Sequence, residues 1–266
     1  MHGIAERFSV TFSPVPSTIQ SIERAAAILR LLSGRNRRLG VAQIAGELNL
    51  PKGTVHGILR TLAAVGFVEQ DEETGRYQLG AALLHMGSSY LDGNELRTRA
   101  LNWSDSLASR SAESVRIGTL HDTKVLVVHH VFRPDDSMQA LEVGALLPAH
   151  ATALGKVLLA ASRYVVQELG ELTRYTPATI TELPELEAAL DQVGERGWAA
   201  DVEELLSGVV SIAAPIQDRR GVTVGAIGIT GPVERLTNAE EPRSDLVAFV
   251  REAARAVSRD LGAIPW

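Results

Sequence analysis

The chain has 266 residues, with 26 Lys plus Arg against 32 Asp plus Glu and no cysteine. Its length suits about two domains, and 45% hydrophobic with 22% charged residues is the composition of a globular protein. Without cysteine there are no disulfides, no Cys-ligated zinc and no thiol catalysis. Apolar runs such as 125–128 and 157–161 fall far short of the ~18 residues of a membrane span. Residues 1–17 lack the basic start and apolar stretch of a secretory signal, so a cytoplasmic protein without membrane association is expected. A net charge of −6 speaks against nucleic acid only if the charge is evenly spread, and it is not. Residues 1–99 hold 11 Lys plus Arg and 9 Asp plus Glu, a net of +2, which leaves −8 for residues 100–266. Within the first part, Arg35, Arg37, Arg38, Lys52 and Arg60 face Glu47 alone, a local +4 that reads either as a solvated face or as a footprint for phosphate.

In chain order, residues 1–16 are expected to form a flexible extension and 17–80 a first domain. Ser17 and Gln20 have capping-box spacing, Ile22, Ala26, Leu29 and Leu32 recur at helical intervals, and Gly34 offers a left-handed cap. A second helix is expected over 41–48, with Ile44, Ala45 and Leu48 inward. Pro51 suits the first turn of a third helix, which buries Val55, Ile58, Leu59 and Leu62 and stops at Gly66. Extended stretches 67–70 and 77–79 flank Thr74-Gly75, a hairpin signal.

Three short helices followed by a hairpin is the plan of a winged helix-turn-helix, whose last helix enters the major groove. With its apolar face inward, the third helix presents Lys52, Gly53, Thr54, His56, Gly57 and Arg60. Lys52 and the helix N-terminus suit phosphate, Thr54 and His56 can reach base edges, and Arg60 can do either. Arg76 at the hairpin tip is placed for backbone or minor groove. A small helical domain that docks another protein is the competing reading.

Residues 81–112 are expected to form two linker helices, 81–91 and 95–109. The second carries Leu96, Ala100, Trp103 and Leu107 on one stripe. Both could pack on a partner subunit or on their own domain. The second domain, 113–266, shifts to short strands at 115–120, 125–131, 138–143, 209–216 and 223–229. Helices are expected at 152–161 and 186–196, and a closing helix at 240–261. This is an α+β pattern, an antiparallel sheet with helices on its faces.

The segments Val41-Ala-Gln-Ile-Ala-Gly-Glu-Leu48 and Lys52-Gly-Thr-Val-His-Gly-Ile-Leu-Arg60, within residues 39–68, resemble the DNA-binding domain of the IclR family of bacterial transcription regulators. Tyr77-Gln-Leu-Gly80 and residues 83–91 resemble that family's wing and linker helix. Further on, Pro148-Ala-His-Ala-Thr-Ala-Leu-Gly-Lys156, Gly197-Trp-Ala-Ala-Asp-Val-Glu-Glu204, Gly208-Val-Val-Ser-Ile-Ala-Ala-Pro215 and Ala226-Ile-Gly-Ile-Thr-Gly-Pro232 are similar to its effector-binding domain. The resemblance spans residues 17–262 and implies a GAF-like α+β effector domain, dimers or dimers of dimers formed through the first domain and linker, and a pseudo-palindromic operator on double-stranded DNA. Gly57 stands where members usually carry arginine.

The resemblance also implies a small-molecule effector, a small organic acid, seated between the helix that opens at 151–154 and the last strands. Carried over, Ala153 and Leu154 supply backbone N–H groups, Asp201, Ser211 and Thr230 polar side chains, and Leu147 and Val209 apolar wall. Gly228, where members often have serine, is expected to enlarge the pocket. Without the resemblance, Ser211 and Thr230 read as ordinary strand residues and Asp201 as a cap.

Nothing compels catalysis. His129 and His130 are adjacent on one strand and point to opposite faces, so they cannot share a metal. No nucleophile elbow or Walker loop is present, and the neighbouring Glu203 and Glu204 do not make an acid–base pair. The expectation is a ligand-responsive transcription regulator that needs no cofactor. A small-molecule-processing enzyme with a fused helical docking module is the rival.

Overall fold

The computed structural model of the chain describes residues 19–34, 38–135, 139–239 and 241–263. It divides into two compact units, one running through Tyr90 and the other starting at Leu91. Ser17, Thr18, Arg35 and Arg37 lie outside the described residues, as does the expected extension.

The first unit contains helices α1 (Gln20–Leu32), α2 (Val41–Glu47) and α3 (Lys52–Ala64), the hairpin strands β1 (Val68–Gln70) and β2 (Tyr77–Leu79), and helix α4 (Ala81–Asp92), whose last turn reaches the second unit. Ile28, Leu32, Ile44, Val55, Leu59, Leu62, Val68 and Tyr77 form one buried core. The helices close over the hairpin through apolar faces, with one change in α1, where the expected Ile22 is exposed and Ile28 enters the core with Leu32. Leu39 exchanges two backbone hydrogen bonds with Tyr77, at 3.1 and 2.8 Å, which ties the start of α2 to the wing. Arg38 strengthens that tie, donating to Gln78 at 2.9 Å and pairing with Asp71 at 3.6 Å.

Two helix ends differ from expectation. Described helix α1 is capped by Ile19, and it finishes at Ser33, whose hydroxyl donates to Arg30 O, with Gly34 outside the left-handed region. Pro51 is the N-cap of α3 with extended ψ, one position before the first turn. Gly66, at φ +75°, does end α3 as its position implied.

The second unit is a six-stranded antiparallel sheet of order β5-β4-β3-β8-β7-β6. Its strands are β3 (Ser114–His121), β4 (Lys124–Val131), β5 (Leu146–Pro148), β6 (Ala199–Val202), β7 (Val209–Gln217) and β8 (Thr223–Pro232). Helices α5 (Glu95–Ser111) and α9 (Ser244–Asp260) cover one face through Leu96, Ala100, Leu107, Leu246, Val250 and Val257, packed on Val115, Ile117, Ile212, Ile227 and Ile229. Helices α6 (Ala153–Ala161) and α7 (Leu183–Arg196) cover the other face through Leu154, Val157, Leu186 and Leu190. Alternate strand residues serve the two layers, as the pleat requires. A one-turn helix, α8 (Val233–Leu236), and a two-residue hairpin, β9 (Thr237–Asn238) with β10 (Glu241–Pro242), precede α9.

Two expectations about this unit need correction. Residues 139–143 are not a strand. Gln139 instead closes a loop by bonding the backbone N–H and C=O of Arg133. A turn from Glu142 to Ala145, with Gly144 at φ +87°, then delivers the chain to β4, so the edge strand starts later, at Leu146. The closing helix begins at Ser244 rather than 240, because Glu241 and Pro242 pair back on β9. Of the two placements open for the second linker helix, α5 shows packing on its own unit: Trp103 Nε1 donates to Asp260 at 2.8 Å, Arg110 pairs with Glu252 at 2.8 Å, and the Arg110 guanidinium lies 4.3 Å from the Phe249 ring centroid. Helix α4 has no buried residue, and Leu84, Met86 and Tyr90 are exposed.

Candidate functional site

On α3, core packing of Val55, Leu59 and Leu62 fixes which residues are left outside. Lys52, Gly53, His56 and Arg60 are exposed, and Thr54 and Gly57 are half-buried. A Cβ built on Gly57 meets nothing within 4 Å, so the glycine leaves an open notch on the helix. Arg76 is exposed immediately before β2. The loop it ends is ordered by Asp71, whose carboxylate accepts the Thr74 N–H and O–H at 2.8 Å each, and these bonds hold its pKa below the usual carboxylate value.

In the second unit, the start of α6 and strands β3, β7 and β8 enclose a recess of about 20 Å³, room for about one water molecule. Leu147, Ala153, Leu154, Ser211, Gly228 and Thr230, six of the residues that the resemblance implies for an effector, line it. Thr152 caps α6 by accepting from Gly155 N–H at 3.2 Å while donating to Pro148 O at 2.9 Å. With Lys156 N–H bonded to Thr152 O, the N–H groups of Ala153 and Leu154 are the unspent donors of that first turn.

Three features of the site depart from the sequence reading. Arg116, Thr152, Leu205, Ile212, Ala213 and Ile229 also line the recess and are not among the expected residues. Arg116 was detectable in principle, as a charge between Val115 and Ile117 on a strand whose second face is buried. Its Nη1 donates to Thr230 Oγ1 at 3.1 Å, its Nη2 donates to Glu142 Oε1 at 2.9 Å, and its Nε pairs with Glu142 Oε2. Burial pushes its pKa down, and the Glu142 charge opposes that shift.

Asp201 does not line the recess. It faces Ser211 across the β6–β7 pairing, but the turn beyond it covers it, accepting Glu204 N–H at 2.8 Å, and Leu205 takes its place at the wall. Buried there beside Glu204, its carboxyl is pushed up to about 7. Glu204 in turn pairs with the buried Lys156. Val209 likewise lies outside the recess, opposite Pro232. Gly228 lines the recess, and a Cβ there would stand 2.6 Å from Ile212 O and 3.0 Å from Ala213 Cβ. The glycine answers the close approach of β7 and β8. His130 stands opposite Arg116 on β4, whereas His129 is beside Ile117 and feels Arg97 and Asp105 of α5, so the two rings do face opposite layers.

A winged helix-turn-helix unit joined to a sheet unit with a small polar recess defines a class, the two-domain bacterial transcription regulators. Residues 21–72 match the IclR helix-turn-helix domain and residues 88–259 the bacterial transcriptional regulator IclR C-terminal domain. The chain belongs to the IclR family. It is 60% identical to the glycerol operon regulatory protein of Streptomyces coelicolor, over 92% of this chain and 97% of that one. It is 32% identical to the transcriptional repressor AllR of Salmonella typhimurium, over 92% and 91%. Among solved structures it is similar to an IclR homologue from Microbacterium hydrocarbonoxydans complexed with 4-hydroxybenzoate, with a TM-score of 0.77 at 26% identity over 91% of this chain and 99% of that one. These relatives are named as regulators, not enzymes, so the enzyme alternative falls.

Proposed function

We propose that this transcription regulator binds a pseudo-palindromic operator on double-stranded DNA as a homodimer or dimer of dimers in the cytoplasm, and that a small molecule in the α6–β7–β8 recess modulates that binding. The observation that carries the reading is the exposed N-terminal half of α3 on a winged unit. Lys52 and Arg60 stand outside while the apolar face is sealed in the core. In this reading Lys52 and the α3 N-terminus take phosphate, Thr54 and His56 read base edges, Arg60 does either, Arg76 follows the backbone or minor groove, and the bare Gly53 lets the helix approach closely. The apolar Leu84, Met86 and Tyr90 on α4 suit a covering partner copy. Among the described residues no helix is long and apolar enough to cross a membrane.

Glycerol or a related three-carbon compound is the pathway to look to, given the relative named for a glycerol operon. The sites are tested by measuring full-length protein on duplex DNA taken upstream of its own and adjoining genes. Arg60→Ala should weaken duplex binding by about 1–3 kcal/mol and leave small-molecule affinity intact. Ser211→Leu should remove the small-molecule response and spare DNA binding. Equal loss of both activities in either variant would refute the division of labour.

A further inference from the structure

We propose that Glu69, together with the Gly66–Gly80 contact beside it, fixes the direction in which α4 leaves the winged unit, and that this direction sets the operator half-site spacing the protein accepts. The proposal rests on the reading of a dimer through α4 on a pseudo-palindromic duplex and adds to it the residue that determines spacing.

The first turn of α4 spends its backbone donors on the end of α3 and on the wing. Gly80 N–H bonds to Phe67 O at 2.9 Å, Ala82 N–H to Gly66 O at 3.3 Å, and Ala81 N–H to the Glu69 carboxylate at 3.1 Å. Gly66 and Phe67 are in turn held by the last turn of α3, through N–H bonds to Ala63 O at 3.0 Å and Leu62 O at 2.9 Å. The backbones leave no slack there: a Cβ on Gly80 would overlap Gly66 O, and one on Gly66 would stand 3.3 Å from Ala82 Cβ. The bond to Glu69 is the one that reaches the wing. Glu69 is opposite Gln78 in the hairpin, so its side chain shares the face on which Arg38 donates to Gln78. A carboxylate at a helix N-terminus is favourable both as a cap and toward the helix dipole. The recognition helix, the wing and the base of α4 therefore form one bonded frame.

Beyond its first turn α4 is a bare lever. Residues 84–90 are all exposed, Leu84, Met86 and Tyr90 among them. In the dimer reading these residues meet the partner copy, so the separation of the two α3 helices is set along a lever whose base Glu69 holds. Its twelve residues span about 18 Å, and a tilt of about 10° at the base moves the far end by about 3 Å. That is close to the rise of one base pair, about 3.4 Å. A small loss of angular control at Glu69 is therefore read out as tolerance of half-sites one base pair nearer or farther, with no change in the residues that touch DNA.

The test is selection of bound duplexes from a random library by the full chain, followed by affinity measurements on the enriched sites. The parent should enrich paired half-sites at one spacing. Glu69→Ala should enrich the same half-sites at several neighbouring spacings, its preference for the parent's spacing over one base pair longer reduced by about fivefold, the worth of one lost cap. Its affinity for a duplex carrying one half-site should equal the parent's, which shows that the variant folds and that α3 still reads. Glu69→Gln, whose amide oxygen accepts the same N–H, should keep the parent's spacing preference. A preference unchanged in Glu69→Ala, lost equally in Glu69→Gln, or lost together with single half-site affinity would overturn the role of Glu69. A broad spacing in the parent would overturn the proposal and leave the dimer reading intact. Enrichment of lone half-sites or of no sites, or a parent that sediments as a monomer on the duplex, would refute the dimer reading itself.

Discussion

At Asp201 a strand position and a turn compete for one carboxylate. The β6–β7 register sets it opposite Ser211, but the Glu204 N–H claims it and the turn seals it from the recess. Its pKa of about 7, raised first by burial and then by Glu204, makes it a pH-dependent liability. The folded state holds its proton more tightly than the unfolded chain, whose Asp titrates near 3.8. Stability from this group is therefore full below about pH 4, declines as the pH rises, and is lost above about pH 7. Asp201→Asn should flatten that decline and raise stability at pH 8 by a few kcal/mol, on the order of 1.4 kcal/mol per unit of pKa removed. Denaturant melts of both proteins at pH 5 and pH 8 check this, and an equal pH slope in the two would refute it. The exposed carboxylates of Asp71, Asp218 and Asp245 shift the other way, so the comparison must be between variant and parent rather than between absolute curves.

Among the elements, two glycines on helices show how local space sets the sign of a substitution. Gly57 on α3 has open space where a Cβ would go, so Gly57→Ala should stabilise the first unit by up to about 1 kcal/mol through helix propensity. Gly155 on α6 is packed against the backbone of Ala149, and a Cβ there would overlap its carbonyl oxygen and Cα. Gly155→Ala should destabilise by roughly 1–3 kcal/mol or more and disturb the first turn that lines the recess. Thermal melts separate the two, and a destabilising Gly57→Ala or a neutral Gly155→Ala would contradict them.

The same scale shows what could be read in advance. Helices α3, α5 and α9 are legible because Leu59, Leu107 and Val250 recur on single faces and are buried, whereas in α1 Leu32 is buried but Ile22 is exposed and Ile28 takes the core position. The loop at 139–143 looked like a strand because Leu141 and Val143 alternate with polar neighbours. Gln139 and Gly144 decide otherwise through long-range bonds to Arg133 and Val127 that alternation cannot reveal. Arg116 was passed over for the same reason, since its meaning comes from Glu142 and Thr230, 26 and 114 residues away. Reading Asp201 as a cap is in keeping with its bond to the Glu204 N–H, whereas its place opposite Ser211 and the turn that covers it are not legible in the sequence.

At the scale of the whole molecule, a net charge of −6 is the sum of a basic reading unit and an acidic sensing unit. Local rather than overall charge governs association with DNA. Under the proposed reading, Lys52, Arg60 and Arg76 of each copy meet phosphate, so the proposed dimer would make about six contacts and give a log–log salt slope near −5. An effector can regulate only by favouring one arrangement of the chain over another, so the proposed small molecule has to bind one arrangement better than the other. The decisive measurement is duplex affinity of the full chain between about 50 and 200 mM salt, with and without a small organic acid. The expected result is a steep loss of affinity with salt, a slope made shallower by about 2 by Arg60→Ala in the proposed dimer, and a change in affinity on adding the acid that Ser211→Leu removes. Salt-independent binding, or an effect of the acid that persists in Ser211→Leu, would contradict it.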